Sequence, residues 1–376
     1  MDQVQTLAAG KAIMIKILDR YIGMEFLKHL LFITLVFVGF FAIAHFFDHA
    51  DTFVKHHASP ILVLTYYALS LPGYFYQTSL FAILFATLIT YTILSKNQEI
   101  MAMRVHGISL WATVRPILIL SIFLSAFIFI DGEFVAPVTQ KKTAYIYTSK
   151  IKKEKKSEIF YGTKKWLRWN DKIYNFRKIE ESGRKIDGIT IFIMDENFHV
   201  AQRIDAQSAV QRSPDKWLLT QVMWRTFEKG KPIVTFKYPK RIFQFPRLSK
   251  ISKEAEKQSK QMSFTQLKDF IETHKSSIDE RALNRYYVDL HAKAAYPFGG
   301  IIMVLVAIPF ALKMGRQGGI SAGIGFSIGL GIIYIILSSL FNSLGYAGLL
   351  NAFLAAWAVN IIFFLGGCLA YLSLPQ

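Results

Sequence analysis

The sequence predicts an α-helical membrane protein with six transmembrane helices, three before and three after an inserted β domain. The chain has 376 residues and is 52% hydrophobic, and its apolar residues gather in uncharged runs of about 20 residues, a length that crosses a bilayer as a helix. By contrast, 34 of the 44 Lys and Arg residues fall between positions 131 and 293, where the long apolar runs stop. This separation predicts a membrane bundle interrupted by a polar insert.

Six apolar runs are the predicted membrane spans. They cover 30–47, 61–95, 116–130, 294–312, 319–341 and 349–372. The third run is short, and extending it to about 109 requires Arg115 to place its charged end at the headgroup level. The second run is long, so we expect it to project beyond the membrane or to bend at Pro72 and Gly73.

The positive charges of the short loops predict the orientation. With the N-terminus inside, the inner segments carry nine Lys and Arg residues, whereas the outer short loops carry only Lys55. We therefore expect both termini in the cytoplasm and the insert in the periplasm. The formal net charge of +18 would otherwise suggest nucleic acid, but most of the excess then lies outside the cell membrane, so no nucleic-acid partner is expected.

The insert contains short β-rich runs separated by turn residues. Examples are 172–179, 186–194, 217–227 and 233–238, and their spacing predicts an all-β sandwich, barrel or jelly roll. After them, Ser263 and Gln266 have the spacing of a capping box and predict the start of a helix.

Several function classes lack their usual residues. The apolar runs contain almost no ionisable side chain apart from His45 and the interfacial Arg115, which disfavours an ion-coupled carrier. No phosphate-binding loop, paired-cysteine metal site or catalytic constellation is found, and Cys368 is the single cysteine. We therefore expect no enzyme activity, cofactor or metal, and a membrane part suited to a long apolar ligand or to lipid.

Two local features stand out in the membrane part. Glycines at four-residue spacing in span five would let another helix approach closely, either a partner's or one of the chain's own bundle. These are Gly315, Gly319, Gly323, Gly325 and Gly329. The stretch 96–107, KNQEIMAMRVHG, predicts a short amphipathic helix under the membrane, or simply a connector.

Five segments resemble the lipopolysaccharide export permease family (LptF/LptG, or YjgP/YjgQ type), and the resemblance covers nearly the whole chain. They are ILDRYIG at 17–23, NQEIMAMRVHGIS at 97–109, GEFVAP at 132–137, YYVDLHAKAAYPF at 286–298 and LAAWAVN at 354–360. The first and last look more like the LptG subunit than the LptF subunit.

The resemblance implies a half-transporter with a periplasmic β-jelly roll. Such a chain pairs with an LptF-like permease and with a dimer of a cytoplasmic LptB-like ATPase, so ATP hydrolysis belongs to another chain. The assembly extracts lipopolysaccharide from the inner membrane and passes it to an LptC-like membrane-anchored jelly-roll protein. The implied domains are an N-terminal extension (1–13), helices one to three with the coupling helix at about 96–107 (14–135), the β domain with helical connectors (136–293), and helices four to six (294–376).

The resemblance also implies roles for particular residues. Glu99 matches the acidic residue that docks on the ATPase, with Met103, Arg104 and Gly107 around it. The glycine face of span five would form the interface between permeases, together with span one. Relatives often carry a lysine facing lipid A phosphates near the outer end of span one. This chain has His45 there, beside Phe46, and either Lys55 or the basic connector 150–156 would compensate.

Four aromatic residues of the insert line an acyl groove or form the core of the domain, and the core is the commoner outcome for such residues. They are Phe176, Phe192, Trp217 and Trp224. Two other functions stay open on the sequence alone: a carrier of another lipid or polyisoprenyl conjugate, and a non-transporting envelope scaffold that recruits partners by edge-strand addition.

Overall fold

The computed structural model describes residues 2–152, 158–160, 165–169, 172–179, 185–195, 199–213, 216–228, 231–244, 261–275, 280–314 and 319–374. The chain divides into two compact units, one formed by Met1–Thr143 with Asn284–Gln376 and the other by Ala144–Leu283. We describe each unit by itself.

The first unit is a bundle of long helices. Its helices are α1 (Asp2–Lys55), α2 (Pro60–Lys96), α3 (Glu99–Val105), α4 (Leu110–Ile130), α5 (Ala136–Tyr145), α7 (Glu280–Met314), α8 (Gly319–Tyr346) and α9 (Ala352–Leu372). Six helical segments in the described part of the chain are long and apolar enough to cross a membrane: Ile17–Lys55, Pro60–Lys96, Leu110–Ile151, Leu283–Lys313, Gly323–Tyr346 and Ala352–Leu372. The prediction of six membrane helices is confirmed.

Helix α2 packs at the centre of the bundle and continues through Pro72. Its 37 residues span about 55 Å at 1.5 Å per residue, which exceeds a hydrocarbon layer of about 30 Å. A helix of this length projects beyond the hydrocarbon layer, which accounts for the long second apolar run. Several of its hydroxyl groups are compatible with an apolar surrounding because they bond to the helix itself; Thr87 and Thr90 donate to the carbonyls of Ile83 and Ala86, each at 2.7 Å. The phenol of Tyr91 donates to the carbonyl of Thr113 on α4 at 2.8 Å.

The membrane helices extend further than the apolar runs that predicted them. After α4, two π-helical turns (Asp131–Val135 and Ile146–Ile151) flank α5 and keep the third span helical. The expectation that His45 and Arg115 are the ionisable side chains of the spans is therefore wrong, because Asp131 is buried in the first π turn and Asp289 and Lys293 lie on α7. The phenol of Tyr346 donates to Asp289, which gives that carboxylate a partner.

The second unit contains an antiparallel sheet of seven described strands. They are β1 (Glu158–Phe160), β2 (Lys165–Trp169), β3 (Lys172–Ile179), β4 (Lys185–Met194), β5 (Val200–Ser213), β6 (Lys216–Glu228) and β7 (Lys231–Gln244). Each strand pairs with the next in sequence, so the sheet is a meander rather than the Greek-key arrangement that defines a two-sheet jelly roll. The prediction of an inserted β domain is confirmed.

The sheet is strongly curled. In a flat sheet, β3 and β7 would lie about 19 Å apart, since neighbouring strands are separated by about 4.8 Å. Instead, the Nζ atom of Lys172 on β3 lies 5.0 Å from the ring centroid of Phe243 on β7. The curl encloses an apolar core that includes Tyr174, Ile191 and Leu219, and burial raises the pKa of the Tyr174 hydroxyl above its usual value. After the sheet, Ser263 begins α6 (Phe264–His274) with the predicted capping box.

Candidate functional sites

Helix α3 is a short helix between α2 and α4 whose ends are set by two residues in the left-handed region. Gln98 precedes it with φ of 59°, and Gly107 follows it with φ of 76°. The amide of Gly107 donates to the carbonyl of Arg104 at 2.9 Å, which caps the end of the helix. A residue with a Cβ would be strained at position 107, although no atom lies within 4 Å of a Cβ built there, so backbone conformation alone requires the glycine.

One face of α3 packs on the bundle and the other is exposed. Ile100 is 6% exposed within the main core of the bundle, and Met103 packs against the same core. Met101 and Val105 are 51% and 74% exposed. The amphipathic helix predicted at 96–107 is therefore present, with an apolar strip on its outer side.

The carboxylate of Glu99 bonds to a residue of the first helix. Oε2 of Glu99 accepts a hydrogen bond of 2.9 Å from the phenol of Tyr21, and Oε1 accepts one of 3.2 Å from the side-chain amide of Asn97. Both oxygens thus have donors within the chain, and the side chain stays partly exposed. The position of the carboxylate depends on α1 as well as on α3.

A second polar contact joins α1 to α4, the helix that follows α3. Arg115 on α4 forms an ion pair with Asp19, so its charge is met by a carboxylate, whereas the sequence predicted only contact with headgroups. Sequence reasoning assigned no role to Asp19 and Tyr21, although both lie in the ILDRYIG segment. The signal was their position: the predicted topology places a carboxylate and a phenol at the same membrane side as Arg115 and Glu99.

His45 lies in an aromatic cluster at the other end of α1. Its ring stacks on His49 with centroids 4.2 Å apart and lies 5.6 Å from Tyr74 of α2. The cluster also includes Phe53, Tyr66 and Tyr67. Among the described residues His45 Nδ1 has no hydrogen-bond partner. Phe46 contacts the edge of this cluster, and Lys55 is exposed at the end of α1.

The predicted glycine face of span five separates into two sides of α8. A Cβ on Gly323 would lie 3.1 Å from Oγ1 of Thr92, so this glycine allows close packing on α2 within the chain. Gly325 and Gly329 have no atom within 4 Å of a built Cβ and are exposed beside Ile332 and Ile336. Gly319 begins the helix, and Gly315 lies outside the described residues.

The four aromatic candidates of the β domain also differ. Trp224 is partly buried and packs against the core of the curled sheet. Phe176 and Trp217 are 1% and 0% exposed in the core of the curled sheet, so they leave no surface for an acyl chain and their assignment to a lipid groove is corrected. Phe192 alternates with Ile191 and lies on the other face, where the guanidinium of Arg203 is 5.5 Å from its ring centroid.

The arrangement agrees with a known family. The sequence model of the lipopolysaccharide export system permeases LptF/LptG matches residues 20–373, which include the six spans and the β domain between them. The chain belongs to the LptF/LptG family. Its members are transport permeases, so the chain is a multi-pass inner-membrane protein that functions in lipopolysaccharide export with the other subunits of an Lpt complex. No individually curated protein matches the sequence.

Within the LptF/LptG match lie α3, the Tyr21–Glu99 contact and both sides of α8. Asp19 lies one residue before it. The family match covers both subunit types and assigns no role to single residues, so the roles discussed next are proposals.

Proposed function

We propose that the chain is the LptG-type permease of an ATP-driven ABC transporter that extracts lipopolysaccharide from the inner membrane and passes it to a periplasmic bridge. The observation that carries this proposal is α3, a short amphipathic helix with an exposed apolar strip, a partly exposed carboxylate and a fixed position against the bundle. An ATPase subunit needs such a protruding element if its closure is to move the membrane helices.

Coupling proceeds through two kinds of contact. The ATPase dimer contacts Glu99, Arg104 and the exposed strip of Met101 and Val105, while Gly107 fixes the direction in which the chain leaves α3. Movement of α3 is transmitted to the core by Ile100 and Met103, and to α1 by the bond between Tyr21 and Glu99. The first helix therefore moves with the ATPase.

The outer faces of α1 and α8 are the proposed contact with an LptF-like permease. Little of the apolar window of the first span is buried within the chain, and the same holds for the fifth. Gly325 and Gly329 leave α8 without side-chain bulk on its outer side, which allows a partner helix to approach closely. Lipopolysaccharide would be enclosed between the two permeases and then pass to the LptC-like bridge protein beside the β domain.

The test is a charge reversal on α3 with a matched control. Glu99→Lys should abolish co-purification of the LptB-like ATPase with the permease, and lipopolysaccharide should then accumulate in the inner membrane. Glu25→Lys is the control, because Glu25 lies on α1 in a helix-internal pair with Lys28 and outside α3. Unchanged assembly and transport in Glu99→Lys would remove the coupling role.

Depletion of the chain tests the substrate separately. Loss of lipopolysaccharide from the cell surface is expected. Normal surface lipopolysaccharide with altered delivery of another lipid would assign the chain to that lipid, and normal delivery of every lipid would leave the scaffold function.

A further inference from the structure

The curled β sheet contains an open cavity of about 440 Å³ at the end of β7. Its described lining comes from β3, β6 and β7, which the curl brings together. The residues that matter for its chemistry are Lys172, Lys216, Trp224, Arg241, Ile242 and Phe243. Neither the coupling mechanism nor the permease interface uses them.

Three cations are among the residues that line this cavity. Lys172, Lys216 and Arg241 are all partly or largely exposed, and none of the described lining residues is acidic. Among the described residues, no carboxylate forms an ion pair with any of the three. A cavity of this kind attracts an anion, because three like charges around one opening create a positive potential in it.

Aromatic rings fix the orientation of Arg241. Its guanidinium carbon lies 4.3 Å from the ring centroid of Trp224 and 4.6 Å from that of Tyr238. An arginine that stacks on a ring face keeps the N–H groups along the edge of its guanidinium available to oxygen atoms. Two N–H groups in one plane match the geometry of a phosphate or carboxylate.

The remaining described lining is apolar apart from Gln244. The indole of Trp224 is fixed by a 3.2 Å hydrogen bond from Nε1 to Oε1 of Gln202, and its ring meets Phe243 edge-on with centroids 6.4 Å apart. Ile242 is 61% exposed at the mouth. A fully hydrated ion would leave this apolar surface uncovered, whereas a ligand with an anionic end and an apolar body contacts both parts.

We propose that this pocket binds the phosphomonoester end of an anionic lipid, with Arg241, Lys216 and Lys172 on the phosphate and Trp224, Phe243 and Ile242 on the adjoining apolar part. The inference rests on the proposed function in one respect, that the chain handles a phosphorylated lipid. It adds a place on the β domain that contacts the charged end of that lipid.

Direct binding to the full-length chain in a neutral detergent tests the proposal. The probes are dihexanoyl phosphatidic acid, dihexanoyl phosphatidylcholine and inorganic phosphate, each titrated by microscale thermophoresis. Phosphatidic acid should bind saturably and more weakly at high ionic strength. Arg241→Gln and Lys216→Gln should each weaken its binding roughly tenfold, since a lost charge-assisted hydrogen bond changes affinity by about that factor.

Lys240→Gln is the matched control, because Lys240 is an exposed cation on the same strand and does not line the pocket. The affinity of the Lys240→Gln variant for phosphatidic acid should equal that of the unchanged chain. The proposal is overturned if Lys240→Gln weakens binding as much as Arg241→Gln, or if phosphatidylcholine binds equally well. Equal affinity for inorganic phosphate would assign the pocket to the free ion and reject a lipid ligand.

These measurements are independent of transport. If phosphatidic acid binds to the pocket but the Glu99→Lys variant still assembles with the ATPase, this inference stands and the coupling role is removed. If phosphatidic acid does not bind to a chain that couples normally, the coupling role stands and the pocket proposal is overturned.

Discussion

The phenol of Tyr21, on the first helix, donates a hydrogen bond of 2.9 Å to Oε2 of Glu99, 78 positions later in the sequence. The bond crosses from the longest helix of the bundle to the shortest. Since Ile100 is buried directly after Glu99, the helix α3 contacts the bundle through a polar and an apolar residue in succession.

Replacing Tyr21 with Phe should loosen α3 without unfolding the bundle. The lost bond is partly exposed and contributes about 0.5–1.5 kcal/mol, so the amides of 99–105 should exchange with solvent roughly two- to tenfold faster. Hydrogen exchange followed by mass spectrometry measures this, and ATP-driven transport should fall in parallel. Tyr145→Phe, at an exposed tyrosine of α5, is the control; equal exchange in the two variants would show that Tyr21 does not stabilise α3.

The ion pair of Asp19 and Arg115 should form again when the two residues are exchanged with each other. Asp19→Arg places two cations together and Arg115→Asp two carboxylates, so each single variant should lower the Tm of the purified chain. The pair is partly exposed, and its contribution is therefore about 0.5–1 kcal/mol. The double variant should regain most of the lost Tm. If its Tm falls by the sum of the decreases in the two single variants, the residues do not form a direct pair.

The two sides of α8 should respond differently to the same substitution. Gly323→Leu should lower the Tm of the isolated chain, because a Cβ at this position already lies 3.1 Å from Thr92. Gly325→Leu should leave that Tm unchanged and reduce the yield of the complex with the LptF-like permease. Pull-down yield and Tm measured on both variants test the assignment, which fails if Gly325→Leu assembles normally.

Within the β domain, Phe176 and Phe192 form another matched pair. Phe176→Ala removes a buried ring from the core and should cost about 3–5 kcal/mol of the free energy of unfolding. Phe192→Ala lies outside the core and should cost far less. Limited proteolysis of the full-length chain reports the difference, and equal protease resistance would contradict the core assignment.

The proposed orientation predicts opposite labelling of the two ends of α2. In a Cys368→Ser background, a membrane-impermeant maleimide should label His57→Cys in cells whose outer membrane is opened. It should label Lys96→Cys only after the inner membrane is opened as well. The reverse pattern would place α3 on the side away from any cytoplasmic ATPase.

Patterns that repeat along the chain were predictable from the sequence, and contacts between distant residues were not. Apolar runs predicted all six membrane helices, and the capping box predicted the start of α6 at Ser263, because both depend on neighbouring residues. Strand β5 was not anticipated, since its alternation includes several charged and amide side chains.

The candidate sites show the same difference between local patterns and contacts of distant residues. The amphipathic character of α3 follows from local spacing, whereas Tyr21 lies 78 positions from Glu99 and Asp19 lies 96 positions from Arg115. Likewise, four-residue spacing could not assign Gly323 and Gly325 to different sides, because the distinction depends on where α2 lies. The pocket of the β domain depends on the curl of the sheet, which brings Lys172 to Phe243.

The meander order of the sheet also bears on how the domain reaches its folded state. Every described strand pairs with a neighbour in sequence, so most of its contacts close short loops, and this lowers the contact order of the sheet and favours faster folding. A chain threaded across a membrane from its N-terminal side releases β1 first and β7 last, and each strand meets a partner that has already emerged. In the proposed periplasmic orientation, the domain can thus fold in step with its translocation, and Arg241 and Phe243 on β7 complete the pocket against Lys172.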